Sequence, residues 1–140
     1  MDRAAMVWAI KKYIDTDAEI TYLPEGEAPD WAEANGATLF HHPKAEFKNT
    51  GFRTGVDALI THYQLTDPAL TFLQLIHRGA ETNDRQITPF SAGLRAIGNG
   101  LRTSISDDAE YVTAMSAIYD GLYAFCQESL APVESKGKAE

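Results

Sequence analysis

Met6-Val7-Trp8-Ala9-Ile10-Lys11-Lys12-Tyr13-Ile14-Asp15, followed by Asp17-Ala18-Glu19-Ile20-Thr21-Tyr22-Leu23, is the segment on which the fold class turns. The first part is a short apolar run broken by two lysines, a pattern shared by strands and short buried helices. The second part places Ala18, Ile20 and Tyr22 on one side of an alternating pattern and stops at Pro24, which predicts a strand. Residues 25–35 are helix-compatible, with Gly36 placed to cap the end. Ala37-Thr38-Leu39-Phe40-His41 returns to a strand pattern before Pro43. Strand, helix and strand in this length predict a small parallel sheet with one covering helix.

Working outward from there, residues 44–53 read as a loop and the remainder as helices. Thr54 is placed to cap a helix that presents Val56, Leu59, Ile60 and Tyr63 on one face. Asp67-Pro68 is a helix start, because proline is tolerated in the first turn, and the helix that follows reaches about Arg78. Thr88-Pro89 repeats that signal ahead of a stripe of Phe90, Leu94, Ile97, Leu101 and Ile105. Gly93, Gly98 and Gly100 in that helix each cost about 1 kcal/mol relative to alanine, which asks for a close approach by another helix backbone or by a ligand. Ser106 is placed to cap a last helix with the stripe Val112, Met115, Tyr119, Leu122 and Cys126, a core face or a seam for a partner helix. The expected class is therefore α+β, a small N-terminal sheet with one covering helix followed by a bundle of about four helices. It forms one domain over residues 1–130 with a disordered tail at 131–140.

The totals narrow the function classes. Twenty acidic residues against twelve basic ones give a net charge of −8, which disfavours direct nucleic-acid binding. No apolar run approaches the roughly 20 residues of a membrane span. A single cysteine, Cys126, fits a reducing compartment, so a cytoplasmic location is expected. The segments of standard catalysis are missing: no Walker-type loop, no Gly-x-Ser-x-Gly and no Cys-x-x-Cys occur. His41, His42, His62 and His77 do not follow a metal-ligand spacing.

The chemically richest stretch is Leu70 to Arg85, an apolar helix running into a charged turn with Arg78, Glu81, Asp84 and Arg85. Arg78 and Glu81 are three apart and within reach of an ion pair, while the planar fork of Arg78 suits an oxyanion. Arg95, Asn99 and Arg102 share a helical face and form a second candidate anion site.

Trp8-Ala9-Ile10-Lys11-Lys12-Tyr13-Ile14-Asp15 resembles the Trp-Ile-Arg-Arg-Phe-Ile-Asp opening of the chromate resistance protein family, the domain at the C-terminus of the chromate-resistance regulator. His77-Arg78-Gly79-Ala80-Glu81-Thr82, Ala92-Gly93-Leu94, Asp107-Asp108 and Tyr119-Asp120-Gly121-Leu122-Tyr123 are similar to its later signatures, in the same order. The resemblance implies a ligand-sensing or accessory module for an oxyanion, with Lys11, Lys12, Asp15, Glu46, Arg78, Glu81, Asp84 and Arg85 as candidate ligand-binding residues. The family also carries a Glu, His, Asp and Cys set. Here Glu46 matches, but Asn49, Phe52 and Thr54 stand at the other three positions, so this set is degenerate. Two alternatives accompany this reading. One is a metal-assisted enzyme using Glu46, Glu81 and Asp84 as oxygen ligands, and the other is a homodimer formed through the Val112 to Cys126 stripe. The identity of any cofactor is left open.

Overall fold

The computed structural model describes residues 1–84 and 86–132. Arg85 and all but the first two residues of the expected tail lie outside them. Among the described residues the chain is helical: α1 (Asp2–Ala9) continues into a π-helical turn (Ile10–Ile14), and α2 (Ala28–Asn35), α3 (Gly55–Tyr63), α4 (Pro68–Glu81), α5 (Ser91–Ser104) and α6 (Asp108–Ser129) follow.

The expected N-terminal sheet is thereby corrected. Of the two readings open for residues 6–10, the helix holds: residues 6–9 lie in α1, where Ala4, Ala5, Met6, Val7, Trp8 and Ala9 are all buried, and Ile10 opens the π-helical turn. A helix enclosed on every side has no polar face, so its sequence lacks the 3.6-residue signature and looks like a short apolar strand. Ile20 and Tyr22 pack toward the core as the alternation implies, but from an irregular segment. The β pairing among the described residues is a single parallel bridge between Phe40 and Phe47. A strand pattern is only half of a strand, because the ladder needs a partner with matching backbone groups. The fold class is all-α rather than α+β.

Local chemistry sets the helix ends. The Thr54 hydroxyl accepts from the Asp57 N–H, and the Asp57 carboxylate accepts from the Thr54 N–H, a complete capping box at the start of α3. Asp67 caps α4 ahead of Pro68, and Asp107, rather than Ser106, caps α6. Gly36 adopts the left-handed conformation that ends α2.

The core forms where α1 packs between α3 and α6 and α4 lies against α5 and α6. The α6 stripe of Val112, Met115, Tyr119 and Cys126 is buried within this same chain. Burial pushes the Cys126 thiol up to about 11, which keeps it protonated and unreactive near neutral pH.

In α5 the buried face is Ser91, Leu94 and Gly98, whereas Phe90 and Ile97 of the expected stripe are exposed. Of the three glycines expected to mark a close approach, Gly98 faces Met1, while Gly93 and Gly100 look onto open space. The tight crossing is instead at Gly79 of α4, where an added Cβ would lie 2.3 Å from Ser91 Oγ and 2.7 Å from Ser91 Cβ. The Ser91 hydroxyl donates to the Ile76 carbonyl and cannot turn away without loss. Gly79→Ala is expected to cost about 1–3 kcal/mol through overpacking, measurable by urea denaturation. Unchanged stability would show that α4 and α5 can separate freely.

Candidate functional site

Four helices meet at Asp2, the first residue of α1. Its Oδ2 accepts the Gly55 N–H at the start of α3 (2.8 Å), and its Oδ1 lies 2.9 Å from Nε2 of His77 on α4. On the other side of the imidazole, Nδ1 is 2.9 Å from the Tyr119 hydroxyl on α6. Tyr119 and His77 are completely buried and Asp2 is 2% exposed. A carboxylate only accepts, so His77 carries a proton on Nε2 and donates it to Asp2. Burial on its own would raise the Asp2 carboxyl, but hydrogen bonds from His77 and Gly55 and the proximity of His41 outweigh it and hold the group below its usual range. Burial drives the Tyr119 phenol well above its ordinary value, so it remains a neutral hydroxyl. Every buried side-chain polar atom among the described residues has a hydrogen-bond partner.

This chain of groups reaches the surface through His41. Its Nε2 lies 3.7 Å from Asp2 Oδ2, and its side chain is 35% exposed. His41 has a φ of 51°, the left-handed region that histidine visits more readily than branched residues, and its N–H donates to the Phe47 carbonyl. Partial burial lowers the His41 pKa, with Asp2 acting in the opposite direction.

His41 lines a cleft of about 780 Å³ between the end of α1, the irregular segment 18–25, α2 and the 37–43 loop. Ile14, Ile20, Tyr22, Trp31 and Tyr63 supply apolar wall, and Arg3 supplies a guanidinium. Arg3 lies over the Tyr22 ring and pairs with Asp108 at 2.7 Å. His42 fastens the rim: its Nδ1 accepts the Lys44 N–H, so Nε2–H donates to the Glu25 carbonyl. A smaller hollow on the other side of His41 and His42 is lined by Lys48, Asn49 and Thr50.

The eight residues expected to bind ligand are dispersed, apart from Arg85, which lies outside the described residues. Arg78 is directed at Asp57 rather than Glu81, through Nε at 3.1 Å and Nη2 at 2.9 Å. Glu81 lies 3.8 Å from the amino nitrogen of Met1. Lys12 sits 4.2 Å from the Tyr123 ring centroid, near Trp8 and Tyr13, while Lys11 is exposed. Asp15 lines the cleft and accepts the Asp17 N–H; Asp84 is exposed beyond the end of α4. Glu46 is 73% exposed and 3.5 Å from His62. Of the second candidate anion site, Arg95 binds the Ala80 carbonyl and Arg102 binds Asp108.

At the positions that depart from the Glu, His, Asp and Cys set, Asn49 accepts the Gly51 N–H, Phe52 is 90% exposed and Thr54 is a buried cap. No group of three or more His, Cys, Asp or Glu among the described residues is arranged to hold a metal ion. No helix among them is long and apolar enough to cross a membrane.

Sequence reasoning gave Asp2 and Arg3 no role in a site, and it weighed His41 and His77 only as metal ligands, without finding the partners they share through Asp2. An acid two residues from the start of an apolar segment was the available signal, because an ionisable group there must find partners when the segment is buried.

Comparison with known proteins gives one positive finding: the family model described as ChrB, C-terminal domain, matches residues 1–126. No curated protein and no solved structure matches the chain.

Proposed function

This chain belongs to the ChrB C-terminal domain family of chromate-resistance proteins, and we propose that within it the domain is a sensing module for an anionic ligand held in the His41 cleft. The observation that carries this reading is the position of His41, which faces the cleft and stands 3.7 Å from the buried Asp2 carboxylate. Asp2 joins the starts of α1 and α3 to His77 of α4 and, through it, to Tyr119 of α6. A ligand that moves or protonates His41 changes the field at the point where those four helices meet, and that gives binding a route to a change in helix packing. Arg3 supplies the charge-assisted donor for the anion, and Asp15 stands on the rim.

The test is a thermal-shift and calorimetric screen of chromate, sulfate, molybdate and phosphate against the wild type, His41→Ala, Arg3→Gln and Arg78→Ala. Binding is expected to weaken about tenfold or more in His41→Ala and Arg3→Gln, the scale of one charge-assisted hydrogen bond. Arg78→Ala is expected to melt earlier yet keep its ligand-dependent rise, because Arg78 is engaged with Asp57. Ligand binding that survives loss of His41 and Arg3 but vanishes with Arg78 would move the site to the end of α4.

A further inference from the structure

We infer that the cleft takes an amphipathic organic acid, with the acidic head at Arg3 and His41 and an apolar body along Ile14, Ile20, Tyr22 and Trp31, rather than a bare inorganic oxyanion. This rests on the reading that the cleft is the ligand site, and it deepens that reading by naming the ligand class.

Size is the first reason. A cleft of about 780 Å³ falls within the range of roughly 300–1,000 Å³ that holds drug-sized molecules. A tetrahedral anion would fill a small part of it and leave the remaining wall in contact with water.

The wall is the second reason. Ile14, Ile20 and Tyr22 are partly buried against the core, and Trp31 remains 37% exposed, so apolar surface is available for a ligand to cover. A tetrahedral dianion gains nothing from such surface, whereas a hydrocarbon body gains affinity with every carbon it buries.

Charge is the third reason. Arg3 is the guanidinium of the cleft, and one of its nitrogens is committed to Asp108. A single, partly neutralised guanidinium suits a monoanionic head better than a dianion. Asp15, Glu19 and Glu25 also line the cleft but are exposed at its rim, where solvent screens them. Arg3 contacts Asp108 at 2.7 Å, and Asp108 also holds Arg102 at 2.5 Å, so an acid head competes with Asp108 for Arg3.

The experiment is isothermal titration calorimetry of the whole chain with hexanoate, octanoate and decanoate. Sulfate and chromate serve as inorganic probes, and decyltrimethylammonium serves as an apolar cation. Affinity is expected to rise about three- to fourfold per methylene, the step set by burial of one CH₂. Arg3→Gln is expected to weaken decanoate about tenfold, and Trp31→Ala to flatten the chain-length dependence. Asp108→Asn is expected to tighten decanoate by freeing Arg3. Circular dichroism establishes that each variant is folded.

Sulfate or chromate binding as tightly as decanoate, with loss in His41→Ala, would overturn the ligand class and leave the cleft reading standing. Decanoate binding that ignores Arg3 and Trp31, or that decyltrimethylammonium matches, would overturn the inference as non-specific adsorption. No binding by either group of probes would overturn both the class and the cleft reading.

Discussion

His77→Ala is expected to lower stability by about 3–5 kcal/mol, the cost of removing one partner from a buried polar pair. At this chain length each kcal/mol shifts the melting temperature by roughly 3–4 °C, so a fall on the order of 10–20 °C should be seen by calorimetry. Asp2 would lose its hydrogen bond at 2.9 Å while remaining almost completely buried, and the Tyr119 hydroxyl would lose its ring partner. Packing adds to the loss, because the His77 and Tyr119 rings meet edge-on with centroids 5.6 Å apart. Tyr119→Phe keeps the ring and removes only the hydroxyl, so its cost should be nearer about 1 kcal/mol. The two variants should not add, since both act on the same chain of hydrogen bonds. A His77→Ala protein that melts within a degree or two of the wild type would show that Asp2 finds water instead, and that the four-helix junction is held by apolar packing alone.

Asp57→Ala is expected to cost about 3 kcal/mol at neutral pH. That figure combines the loss of the carboxylate half of the capping box, about 1 kcal/mol for its hydrogen bond from the Thr54 N–H, with the loss of the buried hydrogen bonds from Gln74 and Arg78 to a charged group. Asp57 is 2% exposed and accepts from the Thr54 N–H, the Gln74 amide and two nitrogens of Arg78. Burial opposes its charge, but Arg78, Thr54 and Gln74 prevail and hold the carboxyl below its ordinary value. A carboxyl depressed in the folded state contributes stability that is present above the unfolded pKa, near 3.9, and is lost as pH falls through the folded value. The wild type should therefore lose stability as the pH is taken below about 4, and Asp57→Ala should lose less over the same interval. Parallel urea-denaturation curves at pH 7 and pH 3 check this. An equal loss in both proteins would assign the acid sensitivity to Asp2, Asp67 and Asp108, whose carboxyls are also held low.

The candidate site shows where side-chain reasoning along one chain stops. Arg78 and Glu81 are neighbours on one helix, and local spacing alone pairs them. Asp57 wins Arg78 because it is fixed in a buried capping box from which both oxygens face α4, a bidentate geometry that an i,i+3 carboxylate on a flexible stem does not match. Asp2 and His77 are 75 residues apart and Asp2 and His41 are 39 apart, separations at which no periodicity links them. The cleft was invisible for a related reason, since two of its walls, residues 18–25 and 37–43, are segments without regular helix or strand that only the fold sets against α2.

Local sequence alone sets the helix starts and stops that depend on backbone chemistry. Thr54 with Asp57, Asp67 with Pro68, and Gly36 each satisfy or terminate backbone hydrogen bonds using atoms a few residues away, so their signals are complete in a short window. It also determined the buried stripe of α6, whose neighbours cover one face and leave the other to solvent. That residues 2–14 are helical and that the 18–23 alternation stays without a sheet followed from the packing of segments distant in the chain. An apolar run is compatible with either backbone, and the choice depends on whether the surroundings offer a strand edge or a sleeve of helices. Here α3 and α6 enclose α1, and that enclosure brought Asp2 to His77 and opened the cleft at His41.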